Sequence, residues 1–157
     1  MRVLIDTREK SPWQFNNPEI TSAEIKKLDT GDYTVEGLEH LLCIERKRGA
    51  AEFAGNTTSK RFLNELERIK EYKYRYIIFE CSELDIIEYP KGTNIPRKLW
   101  YKLRVRGKYM LHVMKEIEED YGITVIFAGG ITEGELAAIK IMKEVCDNER
   151  LSADTEA

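Results

Sequence analysis

Leu41-Leu42-Cys43-Ile44-Glu45-Arg46-Lys47 starts as an apolar run and ends in three consecutive ionisable residues. A short apolar segment that follows a turn-forming Glu36-Gly37 pair reads as a core strand. Side chains alternate along a strand, so Glu45 and Lys47 share one face and Arg46 points the other way. Upstream, Gly31-Asp32 opens a second extended segment, Tyr33 to Val35, and the two runs together predict a β-hairpin. Asp32 then stands at the start of the partner strand, within reach of the face that carries Glu45 and Lys47. Taken alone, Glu45 and Lys47 are better read as an exposed ion pair worth about 0–1 kcal/mol; the core strand before them and the two other acids at strand ends shift the reading.

The neighbouring segments extend the sheet. Arg2 to Asp6 (RVLID) is a short strand that delivers an acid at its end. Thr21 to Lys27 is expected to form a helical turn or two. From Ser59 to Tyr72, Phe62, Leu63, Leu66 and Ile69 recur at helical spacing, and Glu65, Glu67, Arg68 and Lys70 fill the other face. Tyr76 to Glu80 (YIIFE) is another buried strand. Pro96 suits the first turn of a helix expected to run to about Leu103. A basic break follows around Arg104 to Lys108, then helix to Tyr121, ended by Gly122. Ile123 to Ala128 predicts a strand, and Thr132 with Glu135 forms a capping-box pattern for a helix reaching about Val145. The order describes an α/β fold with a mixed central β-sheet flanked by helices.

A chain of 157 residues suits one domain with an adequate core. Residues 1–146 are assigned to it, and the polar, acidic segment 147–157 is expected to be disordered. No apolar run approaches the about 20 residues that span a bilayer, and the N-terminus lacks a secretory pattern, so an intracellular location is expected. Cys43, Cys81 and Cys146 lie far apart, without the close spacing of a zinc site, and read as buried free thiols. The net charge of −3 argues against a protein that coats nucleic acid by bulk electrostatics. Basic residues nevertheless concentrate locally, at Arg46 to Arg48, Lys60 to Arg61 and Arg97 to Lys108.

Hydrolysis of a phosphodiester requires that charge on the phosphoryl oxygens be offset, a water deprotonated and the leaving oxygen stabilised, all tasks that Mg²⁺ assists. Such ions bind carboxylate oxygens and keep several waters. Two or three acids at strand ends beside a cation meet that need, and Asp6, Glu9, Asp32, Glu45 and Lys47 are the candidates. The order Gly-Asp, strand, turn, Glu-x-Lys is the restriction-endonuclease-like pattern.

With these residues assembled, the sequence resembles the nuclease domain of the XPF-type (Hef-like) structure-specific DNA endonucleases. The resemblance extends from Val3 to about Val145 and rests on Ile5-Asp6-Thr7-Arg8-Glu9, Thr30-Gly31-Asp32-Tyr33 and Ile44-Glu45-Arg46-Lys47, with Lys60-Arg61-Phe62 opening the next helix. It implies a restriction-endonuclease-like nuclease fold in which Asp6, Asp32 and Glu45 gather Mg²⁺ or Mn²⁺ and Glu9 assists. Lys47 would orient the attacking water or offset phosphate charge, and Arg8, Arg46 and Arg61 would support the site or touch phosphate. The implied reaction is cleavage of DNA at branched structures such as flaps or forks, in repair or recombination, leaving a 5′-phosphate and a 3′-hydroxyl. A catalytically silent DNA-binding or scaffold domain, and a nuclease with general single-strand or RNA specificity, are the alternatives.

The chain departs from the family pattern twice. Where the family places an aspartate four residues after the motif lysine, this chain has Ala51, with Glu52 one position later. Glu52 is thus either a substitute ligand or an exposed helix residue. The segment after Val145 is too short for paired helix-hairpin-helix modules, so DNA selection is expected to come from this domain, from a homodimer or from a partner protein. Arg97, Lys98, Lys102, Arg104, Arg106 and Lys108 are the candidate phosphate track. Tyr72, Tyr74, Tyr76, Trp100 and Tyr101 are rings of the kind that stack on unpaired bases, though ordinary packing is their expected role. His112 is expected to be structural within its apolar helix.

Overall fold

The computed structural model describes residues 1–156. The hairpin forms as expected: β3 (Tyr33–Val35) runs antiparallel to β4 (Leu42–Lys47), with Tyr33 opposite Ile44. Around it stand β1 (Arg2–Ile5), β2 (Ser22–Ile25), β5 (Tyr74–Phe79) and β6 (Thr124–Phe127), in the order β2-β1-β3-β4-β5-β6. Only β3 opposes the rest: β1 pairs antiparallel with it, while β4, β5 and β6 run parallel to one another.

The segment expected as a helical turn, Thr21 to Lys27, instead contributes β2, paired in parallel with β1 from Arg2 opposite Ser22 to Ile5 opposite Ile25. Its residues are mostly exposed, so it has no apolar helical face to bury, and hydrogen bonding to β1 decides its conformation.

The helices are α1 (Ala50–Thr57), α2 (Lys60–Ile69), α3 (Glu83–Ile87), α4 (Gly107–Glu119) and α5 (Ile131–Glu156), with a 3-10 helix over Arg97–Lys102. Cys43, Ile77 and Phe79 face one layer, where Phe53 of α1, Phe62, Leu66 and Ile69 of α2 and Met110 and Ile117 of α4 pack. Val3, Ile5, Tyr33, Ile44 and Ile78 face the other, against Trp13, Phe15 and Ala138, Met142 and Val145 of α5. Full burial of each large apolar side chain contributes about 1.5–3 kcal/mol. No helix among the described residues is long and apolar enough to cross a membrane.

Several boundaries differ from expectation. The helix from Ser59 ends at Ile69, with Ser59 as its N-cap accepting from the Phe62 amide. The short α1 fills a stretch where no separate helix was expected. Pro96 sits at the N-cap of the 3-10 helix, one position before its first turn. The capping box expected at Thr132 is not used: α5 starts at Ile131, and Glu135 Oε1 accepts instead from the Phe15 amide at 2.7 Å.

The tail from Asp147, expected to be disordered, continues α5 to Glu156. Glu149 accepts from Lys73 Nζ at 2.7 Å and from the Tyr74 hydroxyl at 2.9 Å, which holds the helix beyond its last buried residue, Val145. His112 is also corrected. It is exposed and pairs with Glu116 at 2.9 Å, because Met110, Val113, Met114 and Ile117 occupy the buried face of α4. Cys43 and Cys81 are buried free thiols, and Cys146 is half-buried.

Arg46 points to the α5 side of the sheet, as alternation predicts. Its Nε and Nη2 donate to the two oxygens of Glu80 at 2.9 and 3.2 Å, and Nη1 donates to the Ser11 carbonyl at 2.7 Å. Trp13 Nε1 also donates to Glu80, at 3.0 Å, and the guanidinium lies 4.7 Å over the Trp13 ring. Both charged groups are buried, so removing one leaves the other unpaired in the interior. Glu80→Ala should therefore lower the unfolding free energy by about 3–5 kcal/mol in urea titrations followed by tryptophan fluorescence. A loss below about 1 kcal/mol would mean that water replaces the lost carboxylate and the clamp is dispensable.

Candidate active site

Asp6 directly follows β1 and Asp32 directly precedes the antiparallel β3, so both stand at the same end of the sheet. Glu45 and Lys47 lie on β4, which runs toward that end as β1 does. The Asp6 amide donates to the Asp32 carbonyl at 2.9 Å, and the Asp32 amide to the Ile44 carbonyl at 2.9 Å, so backbone ties set the spacing. Gly31 makes the turn possible. It has φ +85, and a Cβ there would lie 2.6 Å from Cys43 Sγ.

These residues line a cavity of about 340 Å³ with Arg8, Arg61, Phe62, Glu65 and Arg68, roofed by α2 and closed on one side by Gly55 and Asn56 of α1. The structure thus brings together Asp6, Asp32, Glu45, Lys47, Arg8 and Arg61. The exposed ion pair is excluded for Glu45 and Lys47, which are only 6% and 4% exposed. Lys47 Nζ lies 3.3 Å from Glu45 Oε1, 4.0 Å from Glu52 and 4.9 Å from the centre of the Phe62 ring.

The acids differ in how they are held. Asp6 accepts from the Nε and amide of Arg8 at 2.6 and 3.2 Å and from the Leu28 amide at 2.8 Å. Burial works to raise its pKa, but Arg8 and the amides outweigh it, and Asp6 stays below the usual carboxylate range. Asp32 accepts from the Arg46 amide at 2.8 Å, yet burial first and the charges of Glu9 and Glu65 after it push it up to about 6. Burial, then Asp32, pushes Glu45 well above its ordinary value, and the neighbouring Glu65 carboxyl adds to the rise. For Lys47, burial opposes the charge, but Glu45, Glu65 and Glu52 outweigh it and raise the pKa.

Glu9 does not line the cavity. It is buried between Arg46, at 3.6 Å, and Arg48. Arg46 belongs to the clamp on the opposite face, so it supports β4 from behind rather than facing the cavity. Glu52 is exposed on α1, where it accepts from the Arg48 amide at 3.0 Å, and it too is absent from the cavity wall. Arg104, Arg106 and Lys108 line a different surface.

Glu65 and Asn56 are cavity residues that the sequence reading passed over. Glu65 was assigned to the outer face of its helix, yet Arg61, Glu65 and Arg68 follow each other at spacings of four and three, which puts them on one flank beside the apolar stripe. Among the described residues no three His, Cys, Asp or Glu side chains are drawn together at the spacing of a metal site.

The ERCC4 domain model matches residues 5–134. The fold superposes on XPF from Aeropyrum pernix with a TM-score of 0.65 at 22% identity, over 99% of this chain and 69% of that one. A second structure, XPF from Aeropyrum pernix in complex with DNA, gives 0.61 at 21% identity, over 94% of this chain and 66% of that one. At these identities the likeness is one of fold, and that fold is the restriction-endonuclease-like one. Meiotic plaque component protein 54 of Saccharomyces cerevisiae is 24% identical over 104 residues, 62% of this chain and 22% of that protein, so the chain spans about a fifth of this relative's length. The matched stretch contains β2 to β6, the last residue of β1 and all the acids of the cavity, and the chain belongs to the ERCC4 domain family.

Proposed function

We propose that the chain is an Mg²⁺- or Mn²⁺-dependent endonuclease that hydrolyses DNA phosphodiester bonds, with branched DNA such as flaps or forks as its substrate. The observation that carries the reading is the convergence of Asp32, Glu45 and Lys47 from adjacent strands on one cavity whose wall also holds Arg61 and Arg68. The DNA complex of the Aeropyrum pernix neighbour supports DNA as the substrate.

The donor set fits the implied ion. It consists of hard carboxylate oxygens, and Asn56 Oδ1 is buried in the cavity wall without a hydrogen-bond partner. Asp32 and Glu45 would hold the ion, with Asp6 beside them and Glu65 within the same wall. When bound, it would offset charge on the phosphoryl oxygens and lower the pKa of a coordinated water.

The protein's own groups supply the rest. Lys47, a buried ammonium, counters the negative charge that builds on the phosphate and keeps the Glu45 carboxylate oriented. Arg61 and Arg68 are exposed on the flank of α2, placed to take the phosphates on either side of the scissile bond. Arg8 holds Asp6 in its ionised form.

A second reading is a catalytically silent scaffold. It is favoured by the saturation of the Asp6 carboxylate by Arg8 and Leu28 and by the relative whose name describes a plaque component. Labelled flap, fork, duplex, single-stranded DNA and RNA incubated with Mg²⁺, Mn²⁺ or EDTA separate these readings. The endonuclease cuts branched DNA only with an ion, and Glu45→Ala and Lys47→Ala each slow cutting by at least about 100-fold. Binding of the same DNAs without any cutting assigns the chain to the scaffold class.

A second prediction concerns pH. A carboxyl whose pKa is higher in the fold than in the unfolded chain holds its proton more tightly when folded, so its contribution to stability falls as pH rises. For Asp32 that window runs from its ordinary 3.8 to about 6. Asp32→Asn, whose amide oxygen still accepts from Arg46, should remove that part of the fall and stabilise the metal-free protein at pH 8 by roughly 3 kcal/mol. Millimolar Mn²⁺ should raise the Tm of the wild type at pH 8 and leave that of Asp32→Asn in place. Equal Tm profiles for the two proteins, with no response to the ion in either, would rule out Asp32 as an ion-binding acid.

A further inference from the structure

Between Glu88 and Glu116 the chain contains eight Lys and Arg and no Asp or Glu, in a protein of net charge −3. Part of this stretch lines a concave surface of about 710 Å³ built from Arg104, Arg106, Lys108, Tyr109, Leu111, His112 and Lys115, none of which lines the acidic cavity. Burial of Met110, Val113 and Met114 turns Lys108, His112 and Lys115 outward at spacings of four and three, as one stripe along α4. Arg104 and Arg106 prolong that stripe beyond the start of the helix.

The surface is held in shape by close packing. A Cβ on Gly107 would lie 2.2 Å from the Ile87 carbonyl oxygen and 2.5 Å from that of Ile86, so the first turn of α4 rests directly on α3. Arg106 Nη2 donates to the Trp100 carbonyl at 2.9 Å, which ties the approach to the helix. His112 and Lys115 lean on Glu116 and Glu119, but Arg104 and Lys108 form no ion pair among the described residues. Exposed rings alternate with these cations: Tyr109 is 45% exposed, and Tyr101, with Lys102 5.7 Å from its ring, is 74% exposed.

We propose that this surface is a second nucleic-acid site that takes one strand of single-stranded DNA, with its phosphates on Arg104, Lys108 and Lys115 and a base against Tyr109. Arg104 and Lys108, cations without an ion pair among the described residues of an acidic protein, select a polyanion, and Lys115 at the end of the stripe can exchange its exposed Glu119 partner for a phosphate. Exposed rings among them select a strand whose bases are free to stack, because a duplex presents phosphates but keeps its base faces inside. The choice of DNA rests on the endonuclease reading; the binding itself needs neither the ion nor cleavage.

The test is fluorescence anisotropy of the full chain in EDTA, with labelled oligo-dT and a duplex of equal length, over a range of salt. Arg104→Glu with Lys108→Glu should weaken oligo-dT binding at least about 10-fold and flatten the dependence of log K on log salt by about 1.4, the value for two phosphate contacts on a single strand. Tyr109→Ala should weaken oligo-dT about fivefold or more and leave duplex binding in place, while Tyr109→Phe keeps the affinity. Lys27→Glu with Lys140→Glu makes the same charge change at other exposed positions and should stay within about twofold of the wild type. Unchanged oligo-dT affinity in both the charge-reversal and Tyr109→Ala variants overturns the proposal, as does an equal loss in the Lys27 and Lys140 control. Tighter, Arg104- and Lys108-dependent binding to phosphatidylserine vesicles than to oligo-dT would assign the surface to a membrane and overturn it too. A wild type that binds oligo-dT through this surface but cuts no DNA keeps this inference and loses the endonuclease reading.

Discussion

Three consecutive ionisable side chains, Glu45, Arg46 and Lys47, are buried in the central strand, and much of the molecule is arranged to make that tolerable. An unpaired charge in a protein interior costs several kcal/mol. On the α5 side Glu80 meets Arg46 with both oxygens, and Trp13 and Tyr33 complete the enclosure. On the α2 side Lys47 sits beside Glu45, with Phe62 over it.

The two faces are solved differently. The Arg46 face is neutralised pair by pair and closed, and it behaves as a structural clamp that pins the loop containing Ser11 and Trp13 to β4. The Glu45 face opens to a cavity, where burial first and neighbouring carboxyls after it raise the pKa values of Asp32 and Glu45 while Arg8 keeps that of Asp6 low. Carboxyls of raised pKa gathered in a cleft are a common feature of functional sites, whereas the paired charges of the opposite face serve the fold.

Charge is also divided over a longer range. The acids gather at one end of the sheet, while the segment between Glu88 and Glu116 contains only cations. Gly107, by letting α4 rest directly on α3, fixes where that basic segment meets the helical layer.

The alternation along β4, the hairpin with β3, the acids at the ends of β1 and β3 and the α/β layering were all legible in the sequence, because strand period and turn residues are local properties. The three ordered motifs carried the family for the same reason. What tertiary structure alone decided lies in pairings between distant segments. Ser22 to Ile25 became a strand because β1 offered it an edge, and Glu149 kept α5 helical because Lys73 and Tyr74 stood opposite. Glu9 turned away to Arg46 and Arg48, and Glu65 entered the cavity because α2 docks with that flank over β4. No period in a sequence encodes which remote charge an acid will meet, since that depends on how the layers pack, and packing is settled only when both partners are in place.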